Sequence, residues 1–249
     1  MPDTYIQSPP DFGYGRRDPA AGLNDVEAAI TTRRSIRAFL RDKPVPRGLI
    51  ERILNVSARA PSGTNIQPWH VVAVAGDVRD EVCAAIHEKR DGGGGQEMGY
   101  NYYPVEWFEP YVSRRRKLGW DMYGLLDIKK GEREKTYKQH GRNFDFFDAP
   151  VGLFFHMDGR MERGSFLDIG LFIENVMVAA RSHGLDTCPQ AAWVDYSETI
   201  KSCLGIPENH IVLCGMCLGY EDTSAPVNAL YSEREPASFF TDWQGFDSG

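Results

Sequence analysis

The chain of 249 residues is long enough to bury a sizeable core in one large domain, and its 42% hydrophobic and 25% charged residues match an ordinary globular mix. Disorder and fibrous repeats are excluded on that basis. A formal charge of −7 argues against broad attraction to nucleic acid or to an anionic membrane surface.

Residues 1–22 carry Pro, Gly and Asp without an apolar signal core and read as an extended N-terminal arm before a main domain over 23–220. Asn24 and Glu27 form a capping pair for a first helix with Val26, Ala29 and Ile30 on its apolar face, ending near Arg33. After Pro46, residues Leu49, Ile50, Ile53 and Leu54 recur at helical spacing, and Pro61 disfavours helical geometry at Ala60. A buried strand is expected over 69–75, and Asp77 is expected to cap the next helix. Four glycines at 92–95 read as a hinge.

Residues 100–147 hold twelve of the 29 Trp, Tyr and Phe residues, mixed with Arg114, Arg115 and Arg116, and are predicted to form a helical cap. Strands are expected over 151–157, 187–193 and 211–218, with a short helix over 195–204. Phe166, Ile169, Phe172, Ile173, Val176 and Met177 form a helical stripe read as core; Asp168, Glu174 and Asn175 interrupt it, so it does not read as a membrane span. Residues 221–249 form a C-terminal extension expected to pack on a partner subunit. The five cysteines are scattered and odd in number, which fits reduced thiols in a cytoplasmic protein; Cys214 and Cys217 read as strand thiols rather than a redox or zinc pair. The pattern predicts a sheet covered by helices on both faces.

The chain carries no zinc-protease, nucleophile-elbow or phosphate-loop motif. Two segments do carry polar chemistry. In RRSIR, residues Arg33, Ser35 and Arg37 alternate, so extended backbone aims them to one side, where guanidinium groups can clasp a phosphate. The same arginines also suit a solvated helix C-terminus, where positive charge is favoured. In APSGTNIQPWH, two prolines stiffen the backbone while Asn65 and Gln67 offer donors and acceptors that suit a ring with carbonyl and imide edges. Simple turn chemistry explains that segment equally well.

Taken together, RRSIRAF, APSGTNIQPWHVV, GLDTCPQAAW, LCGMCLGY and SEREP, in that order, resemble the nitroreductase family of flavin enzymes from about Val26 to Pro236. Residues 100–150, ending RNFDFFDAPVGLFF, are similar to the subgroup of 4-nitrobenzoate and dinitroaniline reductases. The resemblance implies an α+β fold around a mixed, mainly antiparallel sheet flanked by helices, and an intertwined homodimer with FMN at the interface. It implies that Arg33, Arg34, Ser35, Arg37 and Arg234 approach the phosphate, ribityl chain and pyrimidine edge. Pro61, Ser62, Gly63 and Asn65 would come from the other subunit. Gln190, Ala191 and Ala192 would form the segment whose backbone lies near flavin N5; many relatives have an acidic residue followed by Gly there. Arg142 and Asn143 are candidates for the pyrimidine-edge residue that the family supplies before its second long strand.

The implied reaction is ping-pong: hydride passes from NADH or NADPH to FMN, and a small aromatic acceptor is then reduced, nitro to nitroso and hydroxylamine, without a side-chain nucleophile. Arg37 would stabilise the reduced flavin. Trp107, Phe108, Tyr111, Trp120 and Tyr123 are expected to wall the acceptor site, with the adjacent arginines favouring anionic substrates; a packed cap with a basic outer face is the plainer account of the same residues. Quinone or flavin reduction, reductive dehalogenation and non-catalytic FMN binding remain alternatives on the same scaffold.

Overall fold

Asn24 closes a capping box at the start of the first helix: its side-chain oxygen accepts the Glu27 N–H at 3.0 Å, and the Glu27 carboxylate accepts the Asn24 N–H at 2.9 Å. Such a cap is worth about 1 kcal/mol and fixes where α1, Asp25–Thr32, begins. The computed structural model describes residues 21–246, so nearly all of the expected N-terminal arm lies outside the described residues. Next come α2 (Arg47–Ser57), β1 (His70–Ala75), α3 (Gly76–Asp91), α4 (Tyr111–Leu125) and α5 (Arg133–Gly141). The second half contains β2 (Val151–Asp158), α6 (Arg163–Ser182), β3 (Asp186–Gln190), α7 (Ser197–Leu204), β4 (His210–Gly219) and a short α8 (Ala237–Phe240).

The four strands form one antiparallel sheet in the order β1-β2-β4-β3. β2 and β4 lie at its centre and are buried on both faces, which is why they read as continuous apolar runs instead of alternating ones. Ser35 bridges Thr187 in the parallel sense, so the RRSIR segment extends the sheet past β3 and makes it mixed. This is the α+β architecture the motifs imply. On one face α3 and α7 pack over Val82, Ile86, Phe154 and Trp193; on the other α2 and α6 pack over Ile53, Phe155, Phe172 and Val176.

Several expectations are corrected. Asp77 makes no cap: α3 starts at Gly76 after Ala75, with Asp77 inside its first turn. The strand expected over 187–193 stops at Gln190, and residues 191–196 coil into 3-10 geometry because Trp193 turns inward. Not all of 100–147 is cap, since Phe144, Phe146 and Phe147 are buried in the core. Two glycines make room for this aromatic cluster. A Cβ at Gly152 would fall 2.2 Å from the Phe146 ring, and one at Gly215 would fall 2.3 Å from Trp193. In contrast, α4 has no buried residue of its own. No helix among the described residues is long and apolar enough to cross a membrane.

Candidate functional site

The RRSIR segment is held extended by its neighbours. Ile36 donates its N–H to the Thr187 carbonyl at 3.1 Å, and Phe39 donates to Phe147 at 3.0 Å. Ile36 is buried, which fixes the alternation and sends Arg33, Ser35 and Arg37 the opposite way. The Asn228 side chain completes the clamp: it accepts the Arg37 N–H at 2.8 Å and donates to the Ala38 and Asp222 carbonyls at 2.8 and 2.9 Å. One buried amide therefore ties the arginine segment to the chain after β4.

Arg33, Ser35 and Arg37 line a cavity of about 320 Å³ that Arg234 also enters, some two hundred positions away in sequence. The one carboxylate lining it among the described residues, Glu174, lies 3.7 Å from Arg33, leaving the lining strongly positive. Arg34 touches the same cavity, but its guanidinium is half of a buried ion pair with Glu221 at 2.9 Å. It braces the fold, while the other three arginines present guanidinium groups to the cavity. Arg37 is further oriented by donating from Nη1 to the Ser35 carbonyl at 3.0 Å.

Arg37 and Leu118 also line a second cleft, of about 430 Å³, between the sheet edge and the cap. Trp120 and Tyr123 of α4 form one wall, with their ring centres 6.3 Å apart. Gln139, His140 and Asn143 form the polar side. The structure thus brings Trp120 and Tyr123 to the arginines. It does not bring Trp107, Phe108 or Tyr111 there: Trp107 lies beneath Arg115, and Phe108 packs edge-on to Tyr111.

Gln190 is buried, and its side chain is fully engaged. Its Nε2 donates to the Asn143 carbonyl at 2.7 Å, and its Oε1 accepts from Trp193 Nε1 at 3.0 Å and from the Cys217 thiol at 3.0 Å. It works as a strut, setting the backbone of 190–192 and holding Asn143 at the cleft, while Ala191 and Ala192 stay partly exposed. Burial pushes the Cys217 thiol well up, so it stays protonated and able to donate. Of the two other candidates, Asn143 reaches the cleft, whereas Arg142 pairs with Asp148 at 3.0 Å.

Pro61, Ser62, Gly63 and Asn65 do not join these cavities within the chain. Pro61, Gly63 and Asn65 are exposed, in a loop braced by Ser62, whose hydroxyl accepts the Gln67 N–H at 3.0 Å, and by Asp168, which accepts the Gly63 N–H at 3.2 Å. Thr64, Asn65 and Gln67 have positive φ, at 48°, 61° and 49°, with Ile66 between them at −72°; the strain falls most on β-branched Thr64. Such strain persists only where the surroundings over-determine it, and it clusters at ligand sites. Gln139, His140 and the structural role of Asn228 escape sequence reasoning. Burial lowers the His140 pKa, aided by Arg90, so this cleft imidazole is neutral at pH 7.

With fold and site in view, a model of the nitroreductase family matches residues 30–220. The chain belongs to the nitroreductase family. It is 37% identical over 224 residues to the 4-nitrobenzoate reductase of Pseudomonas putida, covering 90% of this chain and 97% of that one. It is 39% identical to the chloronitrobenzene nitroreductase of Comamonas testosteroni, over 87% of this chain and 95% of that one. Among solved structures, the FMN and NADPH-dependent nitroreductase NfnB from Sphigopyxis sp. strain HMH superposes with a TM-score of 0.82 at 37% identity, covering 90% of this chain and all 100% of that one. NfnB from Mycobacterium smegmatis, in complex with NADPH, gives 0.84 at 28% identity, covering 88% and 98%.

Proposed function

We propose that this chain is an FMN-dependent oxidoreductase that uses NADPH or NADH to reduce nitroaromatic acceptors, and that it works in the cytoplasm as a homodimer. The observation that carries the reading is the convergence of Arg33, Ser35, Arg37 and Arg234 on one cavity that adjoins an aromatic cleft through Arg37. A phosphate-bearing planar cofactor fits this donor set. Always-charged guanidiniums and one hydroxyl serve the phosphate end, and aromatic and amide groups line the adjoining space. Bound there, FMN would supply hydride acceptance and donation.

The residues of this chain bind, orient and exclude. Arg33 and Arg234 would hold the phosphate with Ser35 beside it. Arg37, pinned by Asn228 and by the Ser35 carbonyl, keeps a fixed positive charge between the two cavities, where negative charge on the ring system is stabilised without reorganisation. Trp120 and Tyr123 would cover the acceptor and keep water out. Each nitroarene would take two electrons and two protons to give a nitroso compound and water, and two more of each to give the hydroxylamine.

In the homodimer, Pro61, Ser62, Gly63 and Asn65 would close over the partner's cofactor. Their exposure and strained backbone support this, as do the exposed Val26, Ile30, Leu167 and Leu171 on the packed pair α1 and α6. The domain boundary at 220 is read less sharply, because residues beyond it, Val227 and Asn228, are buried on their own chain; an extension onto the partner would use Phe239, Phe240, Trp243 and Phe246. The purified protein should be yellow, should bleach anaerobically on addition of NADPH or NADH, and should regain colour with a nitroarene. A colourless protein that takes up no FMN on incubation would overturn the reading.

A further inference from the structure

Resting on that reading, the cleft's charge distribution goes further and names the kind of acceptor. Arg37, Arg115 and Arg116 all line it, and among the described residues no Asp or Glu does. In a chain of net charge −7 this is a local reversal. The three consecutive arginines of α4 divide their work because successive helix positions point in different directions. Arg114 turns away to Glu235 at 2.8 Å and stacks over Phe239; Arg115 borders the neighbouring cavity of Asp121, Glu233 and Glu235 as well as the cleft but forms no ion pair there among the described residues. Arg115 is braced over the Trp107 ring at 4.8 Å, which steadies it without neutralising it. Arg116 has no carboxylate partner among the described residues. Two guanidinium groups are therefore left for an anion, next to the aromatic wall of Trp120 and Tyr123.

We propose that the cleft selects aromatic acids, with Arg115 and Arg116 holding the acceptor's carboxylate while its ring lies against Trp120 and Tyr123. These arginines are specificity determinants: they act on acceptor capture, and electron supply from the cofactor does not depend on them. A guanidinium–carboxylate contact in a half-open cleft is screened by salt, so the preference weakens as ionic strength rises.

The test compares 4-nitrobenzoate with 4-nitrobenzamide, which keeps ring and nitro group but lacks the charge. In the flavin-loaded enzyme, R115Q and R116Q should each lower kcat/KM for the acid several-fold, and the double variant about tenfold or more. The amide should be unaffected, and R114Q should leave the acid-to-amide ratio as in the parent. A second readout needs no turnover: benzoate titrated into the oxidised holoenzyme should perturb the flavin absorbance, and R115Q/R116Q should weaken that binding about tenfold while benzamide shows no change. An unchanged ratio together with unchanged benzoate affinity sinks the proposal. So does a rise confined to the KM for NADPH, which would assign the arginines to the reductant's phosphates. If the parent enzyme reduces neither nitroarene, the proposed reaction falls, and the benzoate titration still decides the carboxylate site.

Discussion

The backbone nitrogen of Arg37 and the side-chain oxygen of Asn228 lie 2.8 Å apart, joining the arginine segment to a turn 191 residues further along. That buried amide also donates twice, to Ala38 and to Asp222. Asn228→Ala removes all three bonds and leaves buried backbone groups unpaired. The expected loss is about 2–4 kcal/mol in urea unfolding, at roughly 1 kcal/mol per bond plus desolvation of the orphaned groups. FMN affinity, measured by titration of the apoprotein, should fall with it. Stability and affinity both unchanged would dissociate Asn228 from the site.

The phosphate assignment is tested by flavin content after gel filtration. Arg33→Ala and Arg234→Ala should each release more FMN than Arg115→Ala, and raised salt should widen the difference. Equal retention in all three variants would contradict the placement of the phosphate.

Gly215→Ala puts a methyl group where Trp193 Cδ1 would be 2.3 Å away, in backbone that has no freedom to retreat at the sheet centre. Overpacking of this kind typically costs about 1–3 kcal/mol. Since Trp193 also holds Gln190, the variant should loosen the strut to Asn143, seen as altered near-ultraviolet dichroism and a higher acceptor KM. Wild-type stability and spectrum in Gly215→Ala would refute the packing argument.

At the far end of the sheet, His156 Nδ1 lies 2.9 Å from His210 Nδ1, and His70 stacks on His156. Burial, then the neighbouring His210 and His70, pushes the His156 pKa down to about 4 from an ordinary 6.5. The folded protein thus binds fewer protons than the unfolded chain between these values. Stability from the neutral ring is complete above pH 6.5 and is lost as pH falls towards 4. His156→Asn should flatten this part of the stability–pH curve; an identical acid slope in parent and variant would contradict it.

The sheet was legible because β2 and β4 are long apolar runs, and α1 because Asn24 and Glu27 cap it locally. That Arg33, Ser35 and Arg37 share one cavity was legible as well: they alternate, and extended backbone turns alternation into a shared face. The cap was less so. Trp107, Phe108 and Tyr111 share their composition with Trp120 and Tyr123, and only the direction of α4 separates the pair in the cleft from the three outside it. Long-range struts such as Gln190 and Asn228 leave no local pattern, since their partners lie far away in sequence. Phe144, Phe146 and Phe147 read as cap because nothing in their neighbourhood reveals the space made by Gly152 on a strand yet to come.

Helix α4 has no buried residue, yet it supplies Trp120, Tyr123, Arg115 and Arg116 to the cleft beside Arg37. On the proposed function, electron delivery and acceptor choice would be written in different stretches of polypeptide, one anchored in the sheet and one resting on its surface. On that reading, diversifying positions 111–125 apart from Leu118, which also lines the arginine cavity, is a route to new acceptors that leaves the core aromatic cluster standing.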